Sequence, residues 1–109
     1  MGLQGYPSFS NASVGNKVQV SGSAIIVVGG FVRNTTAANA WVLMFNAKSA
    51  DVTVGTTVPT TALVIFGNAA LGLSDMPGMI FDVALTIAGN AARDGTGAAA
   101  TLEVDLITA

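Results

Sequence analysis

The chain of 109 residues contains no cysteine and no histidine, and only 9% of its residues are charged. These absences exclude disulfides, thiolate and imidazole metal ligands, and nucleophilic pairs of the Ser-His or Cys-His type. The hydrophobic fraction of 51% also excludes a chain that is disordered by charge repulsion. We therefore expect one folded domain that is not an enzyme and that carries no cofactor and no metal.

Basic residues are scarce as well. Four Lys and Arg residues stand against six Asp and Glu residues, so the net charge is −2 and no basic stripe is available for phosphates. The longest apolar stretch, residues 24–32, includes glycines and is far shorter than the roughly 20 residues of a membrane-spanning helix. No cationic segment followed by an apolar run begins the chain. These patterns predict no nucleic-acid partner, no membrane insertion and synthesis in a cytoplasm.

Short runs of β-branched and aromatic residues alternate with clusters of Gly, Asn, Ser and Asp, which is typical of an all-β protein. The runs predict strands at residues 18–20, 24–28, 41–45, 62–66, 81–88 and 101–107. We expect an antiparallel β-sandwich, similar to a jelly roll, in a single domain with little or no helix. Residues 1–16 show no sustained period and predict an irregular amino-terminal arm, followed by the sandwich domain at 17–109.

Two details of this prediction concern individual strands. Gly29-Gly30 is expected to end the strand that begins near residue 24. Residues 81–88 and 101–107 are expected to form a closing hairpin around the turn at 90–97. In its first strand Val83, Leu85 and Ile87 alternate with small or polar residues, which predicts one buried and one solvent-facing side.

Three of the predicted strands are apolar on both faces. They are residues 25–28, 41–45 and 63–66, where large side chains occupy odd and even positions alike. A sandwich covers only one face of each strand, so the second face must be covered by loops, by the amino-terminal arm or by another subunit. Because so few charges are present, we favour a homo-oligomer and expect a ring of three subunits.

Acidic residues are the remaining candidates for chemistry. Asp82, Glu103 and Asp105 would approach one another if the closing hairpin forms, and three carboxylates could hold a hard cation or act as an acid pair. A solvated face of the hairpin is the simpler interpretation, and we favour it over a lyase or hydrolase site.

The order of several motifs resembles the small β-sandwich virion proteins of tailed bacteriophages. The resemblance covers about residues 31–107. An aromatic and apolar strand leads into a Gly-Thr-x-x-Pro loop, and two late strands flank a turn rich in Thr, Ala and Gly. The motifs lie at residues 34–46, 51–59, 62–66, 77–81 and 84–88. The chain departs from that pattern at Asn46, where Asp is common, and in its last strand, which no aromatic residue closes.

The resemblance implies a structural role on a virion made in a bacterial host. It favours a capsid decoration protein on the outer shell, with the major capsid protein as partner, and leaves open a tail- or fibre-associated module that recognises host-surface glycans. The amino-terminal arm and the loop at 67–78 are the expected contact elements because each places apolar residues in an irregular segment. The candidate contact residues are Leu3, Tyr6, Phe9, Leu71, Leu73 and Met76.

Overall fold

The computed structural model describes residues 8–74 and 76–109, apart from the side chain of Ser8. The described part is an all-β sandwich with one short 3₁₀ turn, Ser49–Asp51, so the predicted fold class is confirmed. In this part of the chain no helix is long and apolar enough to cross a membrane. The strands are β1 (Ser8–Val14), β2 (Val18–Ser21), β3 (Ile25–Arg33), β4 (Ala40–Phe45), β5 (Thr61–Ile65), β6 (Ala70–Gly72), β7 (Met79–Phe81), β8 (Leu85–Asn90) and β9 (Leu102–Thr108).

Two antiparallel sheets face each other. Sheet A has the order β1-β9-β3-β6, and β7 pairs with the same edge of β3 as a fifth strand. Sheet B has the order β2-β8-β4-β5. Side chains of both sheets fill the space between them, including Val32 and Val104 from sheet A and Val42, Met44 and Ile87 from sheet B, all nearly inaccessible to solvent.

Sheet B also carries a second apolar cluster on its outer face. Leu43, Phe45 and Ala88 pack there against Val52, which lies in the segment that connects β4 to β5. The ammonium group of Lys17 donates hydrogen bonds of 2.6 Å to the backbone carbonyls of Ser49 and Val52 and ties this segment down. The chain therefore covers the doubly apolar strand β4 by itself, and this strand needs no second subunit.

The predicted closing hairpin forms only next to its turn, where residues 89–91 pair with residues 98–100, and the prediction is wrong for the two long strands. β8 pairs with β2 and β4 in sheet B, whereas β9 pairs with β1 and β3 in sheet A. The connection between β8 and β9 crosses from one sheet to the other, and Asn90 organises it. The Asn90 side chain is buried, donates to the carbonyls of Gly95 and Gly97, and accepts from the backbone N–H groups of Ala92 and Gly97.

The predicted alternation in residues 81–88 is also wrong. Val83 is 55% exposed, and every residue from Ala84 to Asn90 is buried on both sides of the strand. Small residues such as Ala88 and Thr86 look solvent-facing in the sequence, but the segment after β4 covers them. The Thr86 hydroxyl donates to the carbonyl of Ala47 at 2.8 Å.

The amino-terminal boundary differs from the prediction too. Residues 8–14 are not an irregular arm, because they form β1 and pair with β9 along its length. Val14 in this strand is fully buried in the main core. The sequence pattern does not reveal this strand, because Phe9 and Val14 are its only apolar side chains that face the core and polar residues such as serine and asparagine lie between them.

Gly29 and Gly30 do not end β3. The strand continues to Arg33, with a register shift against β9 between Val27 and Gly29. Gly30 has a φ of 105°, and a Cβ atom there would lie 2.0 Å from the carbonyl oxygen of Asp105. Gly30 therefore lets β3 take a positive φ and lie close to the backbone of β9 beside this register shift.

We expect Gly30→Ala to lower the free energy of unfolding by at least about 2 kcal/mol, because the added methyl group meets backbone atoms at a positive φ. Gly72→Ala is the matched control in sheet A, since nothing lies within 4 Å of a Cβ atom at that position. The control should change stability by less than about 1 kcal/mol. Urea denaturation followed by circular dichroism measures both, and equal losses would contradict the close approach at Gly30.

Candidate functional site

The outer face of sheet A carries an exposed apolar surface. Val28, Ile80 and Ile107 are 36%, 70% and 39% exposed, and Ile26 is partly buried beside them. Ile26 and Ile80 stand directly opposite each other in the β3–β7 pair. We call Ile26, Val28, Ile80 and Ile107 the outer apolar patch.

The register of sheet A explains why these side chains face solvent together. Ile25 and Val27 point inward with Phe81 and Met79, so the alternating position Ile26 points outward. Ile107 of β9 lies opposite Gly29 of β3. Because Gly29 has no side chain, no side chain stands between Ile107 and the backbone of β3. A Cβ atom on Gly29 would lie 3.7 Å from Cδ1 of Ile107 and 3.0 Å from the Ser74 hydroxyl.

The other end of the same face is charged. Arg33 lies opposite Glu103 across β3 and β9, with 3.8 Å between guanidinium and carboxylate, and its guanidinium is 5.5 Å from the centre of the Phe31 ring. Both partners of the ion pair are well exposed, so the pair contributes little to stability. Asp105 follows on the same face of β9, opposite Phe31. The outer face of sheet A is therefore apolar at one end and polar at the other.

Four of the six contact residues predicted from the sequence lie within the described part of the chain, and none of them belongs to the outer apolar patch. Leu73 is 2% exposed and belongs to the main core, so the expectation that it is available to a partner is wrong. Phe9, Leu71 and Met76 are partly buried and pack against that core, which leaves only part of each side chain accessible. The predicted loop at 67–78 contains the strand β6. Leu71 of this strand lies opposite Val32 and faces inward with it. Leu3 and Tyr6 lie outside the described residues.

The three carboxylates considered as a cation or acid site are not brought together. Glu103 and Asp105 lie on β9 in sheet A, but Asp82 follows β7 and accepts a hydrogen bond of 2.6 Å from the Asn46 side chain at the end of β4. The Asn46 side-chain oxygen also accepts from the backbone N–H groups of Val83 and Ala84. Within residues 8–74 and 76–109, no three His, Cys, Asp or Glu side chains are placed to hold a metal ion.

A second surface feature is an open groove of about 830 Å³ on sheet B. Residues 58–62 line one side, and residues 92–94 with Thr96 line the other. Val58 at its border is 85% exposed. The hydroxyl and backbone N–H of Thr96 both donate to the Asp94 carboxylate, at 2.6 and 3.0 Å, and lower the pKa of that carboxyl below its ordinary value.

The sequence contains a signal for one residue of the outer apolar patch and none for another. In residues 101–107 the period of two places Ile107 on the same face as Glu103 and Asp105, which predicts exposure correctly. Ile80 lies in a strand of three residues, which is too short to show a periodicity. Val58 and Phe66, which are 85% and 61% exposed, flank an apolar run that predicts burial.

No protein-family model, curated protein or solved structure matches the chain. The resemblance to virion proteins of tailed bacteriophages therefore stays a prediction based on the motifs at residues 31–107.

We expect Thr96→Val to raise the pKa of Asp94 part of the way to its ordinary value, because the hydroxyl donor is lost and the backbone donor remains. The sign follows from the lowered pKa: the stabilisation by these hydrogen bonds is present above the ordinary pKa and is lost as the pH falls through the lowered one. Titration of the carboxyl carbon by NMR measures the pKa. Thr35→Val, at an exposed threonine outside this loop, should leave it unchanged, and an unchanged value in Thr96→Val would contradict the assignment.

Proposed function

We propose that the chain is a non-enzymatic structural protein of a tailed bacteriophage virion, of the capsid decoration type. It binds the outer surface of the assembled shell, where the major capsid protein is its partner. The observation that carries this proposal is the outer apolar patch, because exposed aliphatic side chains grouped on one sheet face mark a protein contact surface. The motifs shared with small virion proteins supply the class of partner.

The patch provides a mechanism that needs no reacting group. A protein that binds the assembled shell, and not its separated subunits, stabilises the shell by the free energy of binding. A stable interface usually buries about 800 Å² per partner, so the four aliphatic residues form the centre of a contact to which their neighbours on sheet A contribute. Many copies on one particle add their contributions.

The charged end of the same face determines orientation. Arg33 and Asp105 are accessible at the border of the contact, where charges affect the rate and direction of association more than its strength. An apolar end and a charged end on one face let the chain bind a lattice in one orientation. Self-association, including the ring of three expected from composition, remains a prediction that this surface does not require.

We expect Ile80→Asp to weaken binding to phage particles by at least roughly tenfold, because it places a charge in the centre of the proposed contact. Particles of the phage that encodes the chain, prepared from a deletion strain, are mixed with purified wild-type or variant chain and sedimented. Quantified gel bands then give the copy number per particle, and hundreds of wild-type copies are expected on the shell.

Ala50→Asp is the matched control, since it introduces the same charge at an exposed residue of the segment that covers sheet B, away from the outer apolar patch. It should leave particle binding within about twofold of wild type. A wild-type chain that binds no particles, or equal occupancy for wild type and Ile80→Asp, contradicts the proposal. A handful of copies confined to the tail would assign the chain to a tail component instead.

A further inference from the structure

β5 has the composition of a central strand but lies at an edge. Residues 62–66 are all apolar, and strands that are apolar on both faces normally have neighbours and covering layers on every side. β4 fulfils this expectation, since it is flanked by β8 and β5 and buried on both faces. Among the described residues β5 pairs with β4 alone, and four of the five residues of β5 remain partly exposed.

The edge of β5 also lacks the features that normally protect an edge strand. Natural proteins place lysine, proline or inward charges on such edges to prevent pairing with another chain. No charged residue occurs between Asp51 and Asp75, and the nearest proline, Pro59, precedes the strand. The side of β5 away from β4 has no strand beside it in the described part of the chain, and none of these features opposes pairing with a further strand.

Two strongly exposed apolar residues flank this edge. Val58 is 85% exposed before β5, and Phe66 is 61% exposed directly after it. Ala62 and Val64 share the outer face of sheet B with Leu43 and Trp41, and the next residue in this alternation is Phe66. The open groove lies on the same face at the other end of the strand, bordered by Val58 and Ala62. One end of β5 thus presents an aromatic ring and the other end a groove.

We propose that β5 pairs with β5 of a second copy of this chain in an antiparallel, two-fold arrangement. The position midway between residues 58 and 66 is Ala62, within β5. A two-fold axis near Ala62 therefore places Phe66 of each copy opposite Val58 of the other, where the ring enters the groove. The pairing joins sheet B of the two copies through residues 61–63 of each β5, whereas Ile65 lies opposite Pro59, which has no N–H to donate.

The charge distribution favours a second copy as the occupant. Two copies that meet about a two-fold axis bring the same segment together, so a net charge on that segment would repel its copy. Residues 52–74 contain no charge, and the two charged residues that line the groove, Arg93 and Asp94, are of opposite sign, so no such repulsion opposes the contact. A two-fold contact is closed by the second copy and predicts a dimer in place of the ring of three expected from composition.

This inference deepens the self-association in the proposed function, but it uses a surface separate from the outer apolar patch. Sedimentation velocity of the full chain over a range of concentrations tests it. We expect the mass to rise from the 10.9 kDa monomer to that of a dimer. Phe66→Asp and Val58→Lys should each raise the dimer dissociation constant at least roughly tenfold. Because the two residues face each other, an equal mixture of these variants should dimerise more tightly than either variant alone.

Ile80→Asp is the control and should dimerise like wild type, while circular dichroism establishes that every variant is folded. A wild-type chain that stays monomeric at all concentrations, a trimer, or dimerisation lost in Ile80→Asp and retained in Phe66→Asp overturns the β5 pairing. The two proposals fail separately. A monomer that coats particles through Ile80 overturns only the pairing at β5, whereas a dimer that binds no particles overturns only the role on the shell.

Discussion

Burial of the outer face of sheet B is the constraint on which the other features of the structure depend. β4 is apolar on both sides, so a plain two-layer sandwich would leave Leu43 and Phe45 in water. The chain uses the long segment between β4 and β5 as a third layer, fixed by Lys17 through two backbone carbonyls. Because that segment serves sheet B, it leaves the outer face of sheet A without a comparable cover. The outer apolar patch lies on this second face.

Much of the architecture follows from local sequence patterns. Runs of β-branched residues bounded by glycine and asparagine locate the main strands. The alanine runs are too short and too closely bounded by glycine to nucleate a helix, which predicts the class of fold. The pairing of strands is harder to predict from the sequence, because it depends on which of the two sheets each connection leads to. The segment between β8 and β9 contains Asp94-Gly95, a typical hairpin turn, and a short hairpin does form there, with Asn90 opposite Ala99 and its buried side chain bonded across the turn. The chain crosses to the other sheet only after this turn, so the turn sequence predicts the turn and not the partners of the strands that flank it.

The contact surface is harder to predict than the fold for a related reason. Apolar residues in irregular segments suggest exposure, but Leu73 fills the core because the backbone N–H of that residue donates to the carbonyl of Gly30 and holds the loop against β3. Conversely, Ile80 and Phe66 lie in or beside apolar runs that suggest burial. Exposure is decided by strand order and by which edges lack a neighbour, and neither property is visible in a window of a few residues.

The position of the single tryptophan has a consequence for how the chain can be studied. Trp41 stands opposite Val64 on the outer face of sheet B, one strand in from the open edge, and its indole is only partly covered. An event that changes hydration around β5 should alter the wavelength of the indole emission, whereas events on the far side of the sandwich should leave it almost untouched. The chain therefore contains an intrinsic optical probe that separates its two surfaces without any added label.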